Sequence, residues 1–268
     1  MEENYLILKG QVICIKLCLS KETKEIFLNG LDSFMPYFIK KRDADGILIF
    51  KEESSKKEVS YKEIIAEKKI FEQNLIIKKI KDNLIKGEYC FKKDFVLEPV
   101  FMQQVFLNVV NEFSKACVKY TKSLIFHASG LSKNGNGYIF VGESGSGKST
   151  ICRLLTPIGL DIIHEDSIVI KPEKEDFVLY PPFFCFKTRC HIVGKKPKKI
   201  FFINKSKINK LEKMSLKEAV GESFKHCRSI TSTPISIDIF NNFIDLFKSI
   251  PTYRLFFKKD PSFWRLIK

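Results

Sequence analysis

The sequence predicts an α/β protein whose C-terminal domain contains a phosphate-binding loop, with a smaller α+β or mostly β module before it. Residues 142–150 spell G-E-S-G-S-G-K-S-T and fill the pattern G-x-x-x-x-G-K-[ST]. The apolar run Y-I-F-V at 138–141 comes directly before them and an amphipathic segment follows. A strand therefore leads through a glycine loop into a helix, which is the structural context that the motif requires.

The loop predicts one nucleoside triphosphate site. Glycines allow consecutive backbone amides to turn toward one anion, and the N-terminus of the helix adds its partial positive charge. Lys148 is expected to reach the β- and γ-phosphates and Ser149 to ligate the metal, so the implied cofactors are ATP and Mg²⁺. The residues expected to bind them are Gly142, Glu143, Ser144, Gly145, Ser146, Gly147, Lys148, Ser149 and Thr150.

Composition indicates a globular protein with a hydrophobic core. Of the 268 residues 44% are hydrophobic, and the formal net charge is +15. The charge is mostly lysine and accompanies abundant phenylalanine and isoleucine, so it gives no clear nucleic-acid signal. The acidic start and the lack of a long apolar stretch predict neither a signal peptide nor a membrane segment. We therefore expect a cytoplasmic protein.

The cysteines predict reduced thiols rather than a disulfide framework, because they are scattered without C-x-x-C pairs. Cys185, Cys190 and His191 lie close enough together to raise the question of a metal site. Their spacing and the missing fourth ligand argue against one.

Three segments organise the chain. Residues 1–100 contain short strand-like runs at 6–19, 46–50 and 75–77, and no catalytic constellation, so this module is expected to serve binding or packing. Apolar residues then recur at helical spacing, which predicts an amphipathic helix over 101–122 that bridges the two parts. Residues 123–268 form the P-loop domain.

Within the P-loop domain, patterning predicts alternating strands and helices joined by short turns. Strands are expected at 123–131, 138–141, 160–163, 167–171, 177–180, 199–203 and 253–257, and helices at 148–155, 216–227 and 237–250. A hairpin turn is expected at 134–137.

Two acids and a histidine are expected to reach the loop. Glu165 and Asp166 end the strand that follows the loop helix, so a helix leads away from the phosphates and a strand returns to them. One carboxylate can hold Mg²⁺, for which we favour Asp166 together with Ser149, while the other takes a proton. His127 lies on the strand before the P-loop hairpin and titrates near neutrality, so it can neutralise charge or move a proton. His164, in contrast, is interpreted as a packed or surface imidazole.

The order of His127, the P-loop and Glu165-Asp166 resembles the catalytic domain of HPr kinase/phosphorylase. It is more similar still to the HPr-kinase-related proteins associated with modified-peptide gene clusters. In that family a histidine, the phosphate loop and paired acids share one site, and phosphoenolpyruvate carboxykinases have a related arrangement. The tail at 249–260, S-I-P-T-Y-R-L-F-F-K-K-D, and Trp264 are also similar to the end of these proteins. The resemblance covers residues 123–268.

The resemblance implies an HPr-kinase/phosphoenolpyruvate-carboxykinase-like P-loop fold with His127, Glu165 and Asp166 as catalytic residues. It implies ATP-dependent transfer of a phosphoryl group to a hydroxyl, in a peptide or protein serine or in a small molecule, and it allows a homo-oligomer. Three positions depart from true HPr kinases, which have Glu in place of Thr150, usually two Asp in place of Glu165-Asp166, and Gly in place of Ala128. These departures concern HPr as acceptor, phosphorolysis and hexamer formation, and they leave hydroxyl phosphorylation as the expectation.

Two other functions remain open from the residues. A P-loop NTPase without phosphotransfer would need a positioned water and an arginine, for which Arg189, Arg228 and Arg254 are candidates. A nucleotide-sensing or peptide-binding protein without catalysis would keep only the nucleotide site.

Overall fold

The computed structural model describes residues 3–8, 11–31, 38–39, 43–52, 64–71, 73–81, 84–92, 98–174, 176–182, 194–227 and 237–267. The chain divides into two compact units, Met1–Thr121 and Lys122–Lys268. Both combine helices with mixed parallel and antiparallel sheet, as the predicted α/β class requires.

The first unit contains a seven-stranded sheet in the order β3-β1-β2-β4-β7-β6-β5. Its strands are β1 (Glu3–Leu8), β2 (Gln11–Cys18), β3 (Phe38–Ile39), β4 (Gly46–Glu52), β5 (Ile64–Ile70), β6 (Gln73–Lys81) and β7 (Leu84–Phe91). The β2–β4 and β4–β7 pairs are parallel and the others antiparallel.

Two helices accompany this sheet, α1 (Lys21–Leu31) and α2 (Pro99–Tyr120). The helix expected at 101–122 is present as α2, which belongs to the first unit and buries one apolar face there. Phe106 of α2 stacks on Phe50 of β4, with ring centroids 5.7 Å apart. In the described part of the chain, no helix has both the length and the apolar character needed to span a membrane.

The second unit is built on a six-stranded sheet in the order β11-β9-β10-β14-β16-β15. These strands are β9 (Ala128–Lys133), β10 (Asn136–Val141), β11 (Asp161–His164), β14 (Lys196–Lys205), β15 (Lys210–Lys213) and β16 (Thr252–Phe257). A three-stranded sheet contains β8 (Leu124–Phe126), β12 (Ile168–Glu173) and β13 (Asp176–Tyr180). Only β10–β14 and β14–β16 pair in parallel, so the P-loop strand has one parallel and one antiparallel neighbour.

The strand predicted at 123–131 is interrupted. The structure divides it at His127 into β8, which pairs with β12, and β9, which pairs with β10. The single-strand prediction was therefore wrong. The side-chain pattern of this segment does not show where a strand changes sheets, whereas the observed break places His127 at a sheet junction.

The helices of the second unit lie against both faces of its central sheet. They are α3 (Lys148–Leu155), α4 (Leu216–His226), α5 (Ile237–Ser249) and α6 (Trp264–Ile267). Tyr138 and Phe140 of β10 pack with α3 and α6, while Ile139 and Val141 pack with α4 and α5. Burial on both faces explains why β10 is a continuous apolar run rather than an alternating one. The predicted helices at 148–155, 216–227 and 237–250 are confirmed.

Helix α4 begins with a reciprocal cap. Ser215 Oγ accepts from Glu218 N at 3.3 Å, and Glu218 Oε2 accepts from Ser215 N at 2.8 Å. Ser215→Ala removes one of these bonds and should destabilise the second unit by about 1 kcal/mol. Urea unfolding followed through Trp264, the only tryptophan, measures the loss. The control, Lys217→Ala, changes an exposed residue two positions after Ser215 and should alter stability by less than about 0.5 kcal/mol. Equal losses in the two variants would contradict the capping role.

Candidate functional site

The phosphate loop adopts a backbone conformation that depends on its glycines. Gly145 and Gly147 adopt φ values of 79° and 110°, in the left-handed region. Gly147 also faces the ring of Phe257, because a Cβ built on it would lie 2.7 Å from Phe257 Cζ. Ser146 N donates to Glu143 O at 3.1 Å and closes the turn before α3 begins. Glycine is thus required at position 147 by both conformation and space.

Lys148 lies across the loop. Its Nζ donates to Gly142 O and to Glu143 O, each at 2.8 Å, and the residue is 6% exposed. Glu143, Ser144, Gly145 and Ser149 are exposed at the same end of the sheet. The buried lysine therefore fixes a cation under an open set of loop atoms.

Register places the predicted catalytic residues at this end of the sheet. Val141, the last residue before the loop, pairs with Ala128, so His127 stands beside the loop entrance. On the other side of β9, His164 pairs with Gly130, so Glu165 and Asp166 follow at that end too. Three segments far apart in sequence thus converge.

His127 and Asp166 form a direct pair. His127 Nε2 and Asp166 Oδ1 are 3.0 Å apart, with the histidine side chain 20% and the aspartate 57% exposed. An imidazole N–H that donates to this carboxylate orients it and stabilises its charge. A carboxylate that an adjacent imidazole orients in this way is suited to accept a proton.

His164 holds the turn that carries Asp166. Its Nδ1 accepts from Asp166 N at 3.2 Å and from Ser167 N at 3.0 Å. Both bonds require an unprotonated Nδ1. The imidazole that we interpreted as packed or at the surface is half-buried and supports the backbone of the acid pair.

Glu165 is exposed, and its charge influences the ionisation of Cys152 on α3. Burial raises the pKa of the Cys152 thiol to about 11, and the charge of Glu165 adds to that rise. The charge of Glu165 therefore lies within electrostatic range of α3, whereas Asp166 is engaged with His127.

A polar cavity of about 290 Å³ opens beside the loop start. Its walls come from the start of the loop, strands β14 and β16, and helix α4. The lining residues are Val141, Gly142, Glu143, Ser146, Phe202, Ile203, Asn204, Glu222, Lys225, His226 and Arg254. Arg254 and Glu222 are 3.9 Å apart, and Lys225 and Glu222 are 3.3 Å apart, so one acid lies between two cations.

His226 joins the cavity to the histidine–aspartate pair. His127 N donates to His226 O at 2.7 Å, and His226 also lines the cavity. Burial lowers the pKa of His226; the nearby charges of Glu222 and Glu143 oppose this shift, and those of His127 and Lys148 add to it. His226 therefore lies within electrostatic reach of both the loop lysine and the predicted catalytic histidine.

The sequence did not single out Asn204, Glu222, Lys225 or His226, because none belongs to a motif. Arg254 was named only as one of several arginines, and Arg189, Arg228 and the Cys185, Cys190 and His191 group lie outside the described residues. Within the described part of the chain, no group of three or more His, Cys, Asp or Glu side chains could hold a metal ion. The donor set that remains for Mg²⁺ is a hydroxyl, a carboxylate and phosphate oxygens, which is a usual one for that ion.

No family model matches the chain, and no curated protein matches it.

The requirement for glycine at position 147 can be tested by replacing it with alanine and comparing the loss of stability with that of a second glycine-to-alanine variant. Gly147→Ala places a Cβ at positive φ against Phe257 and should cost about 1–3 kcal/mol of unfolding free energy. Gly221→Ala on α4 meets nothing within 4 Å and should stabilise by about 0.5–1 kcal/mol. Urea unfolding followed through Trp264 measures both. A neutral Gly147→Ala would contradict the loop geometry.

The burial of His226 predicts a pH dependence. Its folded-state pKa lies below the ordinary value, so the unfolded chain takes up this proton first as pH falls. Its contribution is complete above about pH 6.5 and is lost as pH falls through the folded-state pKa. The stability lost between pH 7.5 and 5 should be smaller in His226→Gln than in wild type. Equal losses, measured by urea unfolding at both pH values, would place His226 in solvent.

Proposed function

We propose that the second unit is an ATP-dependent kinase that transfers the γ-phosphoryl group to a hydroxyl acceptor, a serine of a peptide or protein or a small molecule. The observation that carries the proposal is the His127–Asp166 pair at the end of the sheet where the phosphate loop begins. A nucleotide site alone needs no such pair. A kinase needs a group to receive the hydroxyl proton beside the terminal phosphate.

In this proposal the loop amides and Lys148 bind the phosphates. The buried ammonium faces the β- and γ-phosphates from the loop start, and the N-terminus of α3 adds its dipole. Positioning and charge neutralisation then supply most of the rate enhancement, as in other phosphoryl transfers.

The two acids take different roles. Asp166 is oriented by His127, so we assign it the hydroxyl proton. Glu165 follows β11 directly, is exposed and lies within electrostatic range of α3, so we assign Glu165 and Ser149 to Mg²⁺, in place of the Ser149 and Asp166 combination that the sequence favoured. Magnesium bound with ATP between Glu165 and Ser149 would reduce the negative charge of the phosphates.

An NTPase without phosphotransfer is the second candidate. Arg254 lines the cavity beside the loop, where an arginine could stabilise charge during hydrolysis. That reaction would release phosphate without any acceptor. Either activity would use the cytoplasmic ATP pool, and the first unit would then serve an accessory role.

Asp166→Asn tests the kinase directly. It preserves size but removes the proton acceptor, so transfer of label from γ-labelled ATP should fall at least about 100-fold. The assay uses Ser-containing peptides and cell lysate as acceptors. The matched control is Asp161→Asn, an exposed acid at the start of β11, which should transfer at the wild-type rate.

Unchanged turnover in Asp166→Asn would overturn the proposed role of this acid. If wild type labels nothing but accumulates ADP, the NTPase replaces the kinase. ATP binding with neither label nor ADP would indicate a nucleotide-sensing or peptide-binding protein.

A further inference from the structure

The helices of the first unit, α1 and α2, pack on one face of its seven-stranded sheet. Phe27 of α1 and Phe106 of α2 lie against Phe50 of β4, with ring centroids 5.0 and 5.7 Å from it. A Cβ built on Gly87 of β7 would lie 2.7 Å from the ring of Phe113 on α2. Residues of β4 and β7 on this side are buried, whereas their sequence neighbours alternate to the opposite face and stay partly exposed.

That opposite face combines isoleucines and lysines across four adjacent strands, β2, β4, β7 and β6. Register and alternation place on it the residues Ile47, Ile49, Ile76, Lys16, Lys51, Lys78, Lys86 and Glu88. We call this surface the lysine face. Among the residues that the structure describes, Glu88 is the one acid that these four strands direct to it.

Three lysines surround Glu88 on this face. Lys86 Nζ lies 2.5 Å from Glu88 Oε1. Burial raises the pKa of Glu88, but the hydrogen bond and charge of Lys86 and the charges of Lys78 and Lys51 outweigh it and hold the pKa below its ordinary value. Lys78 also stands directly opposite Lys86 on the neighbouring strand, where like charges repel. One carboxylate thus balances only part of the lysine charge, and the surface is positive.

The arrangement of the lysine face suits a polypeptide better than a lipid surface. Its isoleucines are only partly exposed between the lysines, so inserted side chains can contact them, whereas a flat apolar surface cannot. Neighbouring strands are about 4.8 Å apart, so the face measures about 14 Å from β2 to β6, and an extended segment of about five residues crosses it. A segment with both carboxylates and apolar side chains matches the two components of this surface.

We propose that the lysine face is a docking surface for an acidic segment of a partner polypeptide. Carboxylates of the segment meet Lys51, Lys78 and Lys86, and its apolar side chains contact the isoleucines between them. The attraction acts between exposed charges and therefore weakens as salt is added, while the apolar contacts supply a part that does not depend on salt. The inference concerns the first unit alone and is independent of the kinase proposed for the second.

The test measures the binding of labelled peptides to the full chain by fluorescence anisotropy. The probes are peptides of about ten residues, long enough to cross the face when extended, that alternate glutamate with valine, lysine with valine, or glutamate with serine. Wild type is compared with Lys51→Gln/Lys78→Gln. The matched control, Lys68→Gln/Lys79→Gln, removes two lysines whose register partners are buried on the helix-covered side of the sheet. Circular dichroism shows whether each variant is folded.

The glutamate–valine peptide should bind wild type more tightly than either other peptide, because only it offers both carboxylates and apolar side chains. Lys51→Gln/Lys78→Gln should weaken that binding about fivefold or more, and the control should stay within about twofold of wild type. Glu88→Gln removes the acid at the centre of the face and should strengthen the binding, a change that a folding defect would not produce.

Three results would overturn the proposal. The first is that the glutamate–valine peptide fails to bind or binds no better than the lysine–valine peptide. The second is that the two double variants weaken its binding equally. The third comes from vesicles that contain phosphatidylserine and from a single-stranded oligonucleotide, tested in parallel. If either binds more tightly than the peptide and loses that binding in Lys51→Gln/Lys78→Gln, the face serves a membrane or a nucleic acid instead.

Discussion

The position of Lys148 across the loop is the constraint on which the site depends. Its ammonium is almost fully buried and satisfies the carbonyls of Gly142 and Glu143, so the start and the end of the loop are tied together. Between these two ends, Gly145 and Gly147 adopt the left-handed backbone conformation. A cation held in this way, under exposed loop atoms, is arranged for an anion before any anion arrives, which reduces the reorganisation that binding would cost.

Sheet pairing then collects the remaining groups around that cation. The antiparallel pairs β9–β10 and β9–β11 bring His127 and Asp166 to one side of the loop. The parallel pairs β10–β14 and β14–β16 bring Asn204 and Arg254 to the other side, since Val141 pairs with Phe202 and Phe202 with Arg254. Helix α4 closes this second side with Glu222, Lys225 and His226. A phosphate at the loop would thus have the His127–Asp166 pair on one side and the polar cavity on the other.

Local signals explain what could be predicted from the sequence. The loop, α3 and the Asn134-Gly135 turn follow from glycine chemistry and periodicity within short windows, and each is present. The break at His127 was not predictable, because a single residue separates β8 from β9 and it is their pairing partners that distinguish them. Strand β15 was missed because it is a charged edge strand with little burial. Arg254 and His226 become neighbours of the loop only through pairing and packing between distant segments, for which a single sequence gives no signal.

The central claim is that the loop binds a nucleoside triphosphate through Lys148, and calorimetric titration with ATP and Mg²⁺ tests it most directly. The comparison is between wild type and Lys148→Met, which keeps the length of the side chain and removes its charge. The account predicts one ATP per chain for wild type and at least about tenfold weaker binding for the variant, with Trp264 fluorescence showing that both are folded. Wild type that takes up no ATP, or a folded variant that binds it equally well, would contradict the account.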